Sequence, residues 1–349
     1  MRSLEHQVIQ SQAVSQKLIM TIRALGEFKG KQDLYKRQAP EMLETLRQVA
    51  MIQSTESSSR IEGVVVAPDR LKQIMAQKVK PRDRSEQEIA GYRDALAFIH
   101  TNAHQLNFTP NLIGRLHTQL YQFTDEPGGQ WKDRENAILE IRPNGSTAVR
   151  FQPVSSIAVP EFMNRLCRLF KQLRDRNEIE PLLLIASCIL DFECVHLFMD
   201  GNGRIGRLLS LLLLYQAGYE VGRYISLERI IEDSKETYYD SLYQSSQGWH
   251  QGEHDLRPWW EYFLGTLIAA YREFEERTAM ITSARGIKSE MVRQAIERLP
   301  VEFSIGELEE VCPNVSRDMI RVVLNDLRGE GKVRCQGKGR FARWKKIWQ

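Results

Sequence analysis

The chain has no apolar run long enough to cross a bilayer. Its longest uncharged apolar stretch, Leu208 to Tyr219, spans twelve residues, against about 20 for a membrane helix. No apolar segment follows the opening Met1-Arg2-Ser3-Leu4-Glu5-His6, so a cleaved leader is not expected. Cysteine is scarce: Cys167, Cys188, Cys194, Cys312 and Cys335 are odd in number and form no close pairs. Neither a disulfide framework nor a zinc site follows from that spacing. Three of the five stand in apolar helical contexts and read as reduced core residues, so a cytoplasmic location is expected. No sign of charge dominates, with 48 Lys and Arg against 45 Asp and Glu. Internal repeats and low-complexity tracts are missing too, and glycine and proline fall mostly between periodic segments. What remains is an ordinary soluble composition, 42% hydrophobic and 27% charged, over 349 residues. That length leaves room for two or three domains and a sizeable core.

The most informative stretch is His196-Leu-Phe-Met-Asp-Gly-Asn-Gly-Arg-Ile-Gly-Arg207. Leu182 to Val195 before it and Leu208 to Tyr215 after it read as buried helices, so the polar dozen is a turn between core helices. Gly201 and Gly203 let a ligand approach the main chain closely. A helix starting near Arg204 would present its leading amides and positive dipole end, a site suited to an anion. Arg204 and Arg207, three apart, share a helix face and can both reach phosphate oxygens. Asp200 stands at the loop entrance, placed for a hard cation such as Mg²⁺. His196 is the one group in the dozen able to take a proton near neutral pH. Asn202 is placed to fix the loop, and Phe198 to anchor it. Any one of these residues alone would be an ordinary interhelical turn residue; as an inventory they suit the handling of a nucleotide triphosphate.

The stretch resembles the Fic family signature, His-x-Phe-x-Asp/Glu-Gly-Asn-Gly-Arg-x-x-Arg, at every specified position. The resemblance covers roughly residues 50 to 270. It implies an all-α fold, with a Fic-type helical core and a short β-hairpin flap. It also implies AMP transfer from ATP to a Ser, Thr or Tyr hydroxyl of a target protein, with self-modification. On that basis His196 would be the general base and Asp200 would hold Mg²⁺. Gly201, Asn202, Gly203, Arg204, Ile205, Gly206 and Arg207 would bind ATP. Catalysis of this kind works by positioning and charge stabilisation. Gly-Asn-Gly-Arg, rather than the Asn-Lys-Arg of the Doc kinases, favours AMP over phosphate transfer.

Upstream, Ser58-Ser59-Arg60-Ile61-Glu62-Gly63 fits the family's inhibitory motif, Ser/Thr-x-x-x-Glu-Gly/Asn. A Glu62 carboxylate docked on Arg207 would repel the γ-phosphate; the plain alternative is a helix end with its C-cap glycine. Ala137 to Arg142 and Thr147 to Phe151 alternate around Pro143-Asn144-Gly145-Ser146, a hairpin signal. The family's flap pairs with a target segment through such a hairpin. Tyr238-Tyr239 matches a family tyrosine pair near the nucleotide, which places Tyr239 among the ATP-binding residues. The polar residue expected soon after that pair has no clear match in Ser245-Ser246-Gln247. Homodimerisation is expected from the resemblance alone.

Elsewhere Met42 to Ile52, Ser85 to His100, Thr109 to about Phe123, Val159 to Leu173 and Pro258 to Arg277 read as helices. This divides the chain into a helical lead-in (1–49), a Fic domain with its inhibitory helix (50–280) and a C-terminal domain (286–349). In the last, helices over Met291 to Leu299, from Ser304 and over Ser316 to Gly329 precede a hairpin of Lys332 to Cys335 and Arg340 to Trp344. That order resembles a winged helix-turn-helix. Residues 312–349 hold ten Lys and Arg against three Asp and Glu. Arg317, Arg321, Lys338 and Arg340 would face DNA if it binds there, while a protein-docking module is the competing reading. Two other functions stay open: deadenylylation of a modified protein by the same site, and a DNA-binding regulator.

Overall fold

The structure, a computed structural model, describes residues 2–38, 40–141, 147–313, 315–337 and 342–347. It is predominantly helical with two small antiparallel sheets, as the sequence leads one to expect. The chain separates into two compact units, Met1–Phe274 and Glu275–Gln349.

In the first unit the chain opens with α1 (His6–Ser11), α2 (Gln16–Gln38) and α3 (Pro40–Ile61), followed by α4 (Pro68–Met75), α5 (Arg84–Asn102) and α6 (Pro110–Leu120). The ends follow their caps: the Asp83 side chain accepts the Glu86 amide at 2.9 Å and Thr109 that of Leu112 at 3.2 Å. Helix α6 stops at Leu120, short of the expected Phe123. Strands β1 (Ile138–Ile141) and β2 (Thr147–Phe151) form the hairpin, with a register irregularity between Ile138 and Leu139. Its turn, Pro143 to Ser146, and Arg142 lie outside the described residues. Then come α7 (Val159–Arg176), α8 (Pro181–Val195), α9 (Asn202–Gln216), α10 (Leu227–Asp233) and α11 (Lys235–Ser246).

Helices α8 and α9 form the centre, because both are apolar on nearly every face and only a fully enclosed position satisfies such a sequence. Leu182, Ile185, Leu190, Phe192, Leu208, Leu212 and Tyr215 are buried there. The amphipathic α7 covers α8 with Met163, Leu166 and Phe170, while α5 and α6 contribute Tyr92, Leu96, Ile113 and Leu116. Helix α3 packs on α5, α9 and α10 through an unusually polar half: Ser54, Thr55, Ser58 and Ser59 are all buried. Their small side chains allow close approach, and their hydroxyls are satisfied locally. Ser54 Oγ donates to Ser226 Oγ at 3.0 Å, and Ser59 Oγ to its own helix. The lead-in is tied to the centre by Asp191 of α8, whose carboxylate accepts the Ser3 and Leu4 amides and Trp249 Nε1.

Helix α12 (Arg257–Arg298) differs from expectation. The sequence reading gives two helices, Pro258 to Arg277 and Met291 to Leu299; the structure has one, running through Gly286. A single helical glycine costs only about 1 kcal/mol against alanine, too little by itself to end a helix. The second unit continues with β3 (Glu302–Ser304), α13 (Ile305–Val311), α14 (Arg317–Gly329), β4 (Val333–Gln336) and β5 (Arg343–Lys346). A capping box between Ser304 and Glu307 starts α13. The strand order is β3-β5-β4, so β5 is central. Strand β3 is an addition to the expected hairpin. Val292, Ile296, Phe303, Ile320, Leu324, Leu327, Val333 and Trp344 make this unit's own core.

Candidate functional site

The site is the loop joining α8 to α9. His196 closes α8 in the left-handed region, at φ 49°, a conformation uncommon for a non-glycine residue. Gly201 opens α9 at φ 81°, where an added Cβ would press on Leu120 and Tyr121. The helix begins at Asn202, two residues before the expected Arg204, so the leading amides belong to 202–204. Asn202 clamps the loop as expected: its Oδ1 accepts the Phe198 amide at 2.9 Å and its Nδ2 donates to the Phe198 carbonyl at 2.8 Å. Phe198 is fully buried. Gly203 and Gly206 lie within the helix and matter for space instead of backbone angle. A Cβ on Gly203 would meet Glu62 Oε1, and one on Gly206 would meet Glu193 Oε1.

His196, Gly203, Arg207, Glu62, Tyr238 and Tyr239 line one cavity of about 760 Å³. Glu193, Leu139, Arg150 and Lys235 are also among its lining residues. Burial, reinforced by the nearby Lys132, pushes the His196 imidazole down to about 4, although the Glu62 charge and the Glu193 carbonyl oppose the shift. The ring is therefore neutral near pH 7 and able to accept a proton.

Arg207 and the end of α3 meet in this cavity. Arg207 Nε donates to Ser58 Oγ at 2.9 Å, and Nη2 donates to the Ser58 carbonyl at 3.0 Å and to Glu62 Oε1 at 2.7 Å. Ser58 and Glu62 are one helical turn apart, so one guanidinium engages both. Gly63, at φ 84°, completes the helix end: its amide donates to the Arg60 carbonyl and the Val64 amide to that of Ser59. Glu62 thus holds a carboxylate at a helix C-terminus, where the dipole disfavours it; the Arg207 ion pair offsets that.

Arg204 has a different environment. It is buried, bonded to Glu88 through Nη1 and to Tyr121 Oη at 3.0 Å through Nη2. Asp200 lies toward solvent, with Oδ1 accepting the Gly201 amide at 2.6 Å and Oδ2 3.5 Å from both Arg84 and Arg204. Burial alone would raise its pKa, but Arg204, Tyr121 and the Gly201 amide together hold it below the usual carboxylate value. Ile205 is fully buried in the core. Asp200, Arg204 and Ile205 do not line the cavity that holds His196, Arg207 and Tyr239.

Tyr238 is buried and Tyr239 half-buried, their rings edge to face at 5.2 Å. Burial raises the Tyr239 phenol to about 12. Ser245 Oγ accepts the Trp259 amide, a structural role, whereas Ser246 lines the cavity. Arg150 of β2 ties the hairpin to α11 by donating to the Tyr239 carbonyl at 2.6 Å. Leu139 and Val149, paired across the hairpin, are both exposed.

Sequence reasoning missed several residues that shape the site. His117 Nδ1 accepts the Gly129 amide at 2.8 Å, which leaves Nε2 to donate to the Asp200 carbonyl at 3.1 Å. Its ring stacks on Phe198 with centroids 3.6 Å apart, and burial pushes its pKa down to about 4. Lys132 Nζ donates to Asn136 Oδ1 at 2.8 Å, and Asn136 Nδ2 to the Phe198 carbonyl at 3.2 Å. Glu88 and Glu193 are the others. No short motif announces these contacts; the one readable signal is that Asp191 and Glu193 are carboxylates inside an apolar helix.

Comparison with known proteins bears on the family and on the fold. Residues 107–214 match the model of the Fic/DOC family. A Fido domain-containing protein of Dictyostelium discoideum is 33% identical over 61 residues, 18% of this chain. The match spans 43% of that protein, less than half its length. Among solved structures, a Fic family protein from Desulfovibrio desulfuricans G20 is similar over 97% of this chain and 98% of its own, at TM-score 0.62 and 19% identity. A Fic domain containing signaling protein from Bacteroides thetaiotaomicron VPI-5482 gives TM-score 0.62 at 21% identity, over 74% of this chain and 97% of its own. Fic-1 of C. elegans gives 0.59 at 20% identity, over 76% and 73%. At these identities the structures bear on the fold alone. Over residues 107–214 the chain is thus similar to the Fic/DOC family in sequence, and its fold is similar to that of solved Fic proteins.

Proposed function

We propose that the chain is an autoinhibited protein adenylyltransferase, moving AMP from ATP to a hydroxyl of a target protein. One observation carries the reading: Glu62 and Ser58 occupy Arg207 in the same cavity that holds a neutral His196. Arg207 would take the γ-phosphate once Glu62 withdraws, and the first turn of α9 would cradle the anion. Its cognate carboxylate keeps that cation from the phosphate, which leaves the α-phosphate misaligned for in-line attack. His196 would remove the proton of the attacking hydroxyl. Asp200, an ionised carboxylate open to solvent at the loop entrance, fits a Mg²⁺ shared with phosphates; bound there, the ion would neutralise phosphate charge. The exposed Leu139 and Val149 fit a target segment laid along the hairpin.

Deadenylylation is the second reading, favoured by one fact: Glu62 shares the cavity with His196 and would position a water. For the second unit we keep the winged-helix reading. Arg317 and Arg321 of α14 are exposed, but Arg317 pairs with Glu309 at 3.0 Å and Arg321 with Asp318 at 3.2 Å; that favours protein docking over DNA. Lys338 and Arg340 lie outside the described residues. The test is incubation of the wild type, Glu62→Gly and His196→Ala with Mg²⁺ and α-labelled ATP, read by intact mass. One added AMP, greater in Glu62→Gly and missing in His196→Ala, supports transfer and inhibition together. No addition in any form, followed by AMP release from a premodified protein, would favour the removal reaction.

A further inference from the structure

Glu193 has no assigned role, and its surroundings are unusual. It lies one turn before His196 on α8, in the same cavity. Its Oε1 is buried without a hydrogen-bond partner among the described residues, as is Nη1 of Arg207. An unsatisfied buried polar atom is costly, and here two stand in one cavity. Space for the carboxyl exists because position 206 is glycine: a Cβ there would lie 2.1 Å from Oε1. The groups facing it are Glu62 at the end of α3, Arg207 of α9, Tyr238 and Tyr239 of α11, and Cys194 on its own helix.

We propose that Glu193, in its protonated form, binds the terminal phosphate of the nucleotide beside Arg207, its acid O–H and Arg207 Nη1 together donating to phosphate oxygens. This rests on the reading of the cavity as a triphosphate site. The two orphan atoms are complementary to an anion only if the acid carries its proton; as a carboxylate, Glu193 would be a second negative charge next to Glu62 and would repel the phosphate. Burial, with Glu62 adding to it and Arg207 opposing it, raises the acid to about 7, so the donor form is present below neutrality and lost above it. Glu193 therefore makes the site responsive to pH over a range in which His196 stays neutral.

The test is equilibrium binding of α,β-methylene ATP, whose α–β bridge the proposed transfer cannot cleave, with α,β-methylene ADP as the diphosphate control, at pH 6 and pH 8. Because Glu62 keeps Arg207 from the phosphate, full-length Glu62→Gly and Glu62→Gly/Glu193→Gln are compared. With the acid near 7, the competent fraction falls from about 0.9 to about 0.09, and loss of Glu62 only deepens the fall, so the affinity of Glu62→Gly for the triphosphate should weaken at least about tenfold over this range. Glutamine keeps a donor at every pH, so the double variant should lack that extra loss; the phosphate's own titration is common to both forms and cancels. The diphosphate should show no difference between them. An equal pH dependence for the two forms overturns the proposal while leaving the nucleotide reading intact. Absence of triphosphate binding by both forms overturns the nucleotide reading and this proposal with it. Glu193→Gln differs by one atom type, and a circular dichroism melt identifies any failure to fold.

Discussion

Arg207 Nη2 donates to Glu62 Oε1 at 2.7 Å, although Arg207 is almost wholly buried and Glu62 remains about a third exposed. One partner is fixed by the core and the other sits on a helix end open to solvent. The contact is therefore one that can be undone from the Glu62 side. Glu62→Gly should raise self-adenylylation at least tenfold, measured as AMP incorporated per chain from labelled ATP. An unchanged rate would remove the inhibitory role from this helix.

Ser58 provides a graded version of the same test. Its Oγ accepts from Arg207 Nε, and its carbonyl accepts from Nη2. Ser58→Ala removes the first bond and leaves the second. A buried hydrogen bond to a charged group is worth about 2 kcal/mol, so urea unfolding should show a loss of that order. Self-labelling should rise less than in Glu62→Gly, because the Glu62 carboxylate still occupies the guanidinium. Labelling above that of Glu62→Gly would mean that Ser58, and not Glu62, is the restraint.

His196 closes a core helix with its ring in the cavity and its backbone amide bonded to the Phe192 carbonyl at 3.2 Å. The imidazole can be removed without touching that bond. His196→Ala should lower transfer by a factor of about 10² to 10⁴, the usual contribution of a general base, while its melting curve stays close to that of wild type. Wild-type transfer by this variant would assign the base elsewhere.

How much of this was legible in the sequence depended on distance along the chain. The loop from His196 to Arg207 could be read because one contiguous stretch carries it, and Asn202 and Phe198 sit where their types implied. The placement of Ser58 and Glu62 on Arg207 could not come from spacing: nearly 150 residues separate them, and only a resemblance connected them. Glu88, His117 and Lys132 escaped for the same reason, since each acts through a partner on another helix or loop. Strand β3 is three residues long, too short to show alternation. Glu193 had a signal that went unused, a carboxylate within an apolar helix. The expected separation of Pro258–Arg277 from Met291–Leu299 is absent because nothing between them forbids a helix; a glycine such as Gly286 lowers helix propensity without ending it.

Buried neutral histidines set the acid limit of stability. His117 and His196 are both pushed down to about 4 by burial, against about 6.5 in an unfolded chain. The unfolded state therefore binds more protons between those values, and stability falls as pH drops from about 6.5 toward 4. For His117 alone the loss amounts to about 3 kcal/mol. Thermal melting at pH 7, 5.5 and 4.5 should show a progressive decline, and His117→Gln should flatten part of it. A melting temperature constant over that range would mean that the His117 ring charges freely in the folded protein.

Arg204 tests whether the phosphate loop depends on a buried ion pair. Its guanidinium is bonded to Glu88, itself buried and bonded by Arg84 Nε at 2.7 Å. Removing one member of such a pair leaves an uncompensated charge in the core, at a cost of about 3 to 5 kcal/mol. Asp200 compensates only in part, because it lies 3.5 Å away and faces solvent. Glu88→Leu should therefore lower unfolding free energy by about 3 kcal/mol, and the double variant Glu88→Leu/Arg204→Met should recover most of it, both read by urea denaturation. The double variant should still fail to transfer AMP, since it lacks a guanidinium at the start of α9. If the two substitutions add without coupling, Glu88 is not what holds Arg204 in place, and the loop owes its geometry to Tyr121 and Asn202 instead.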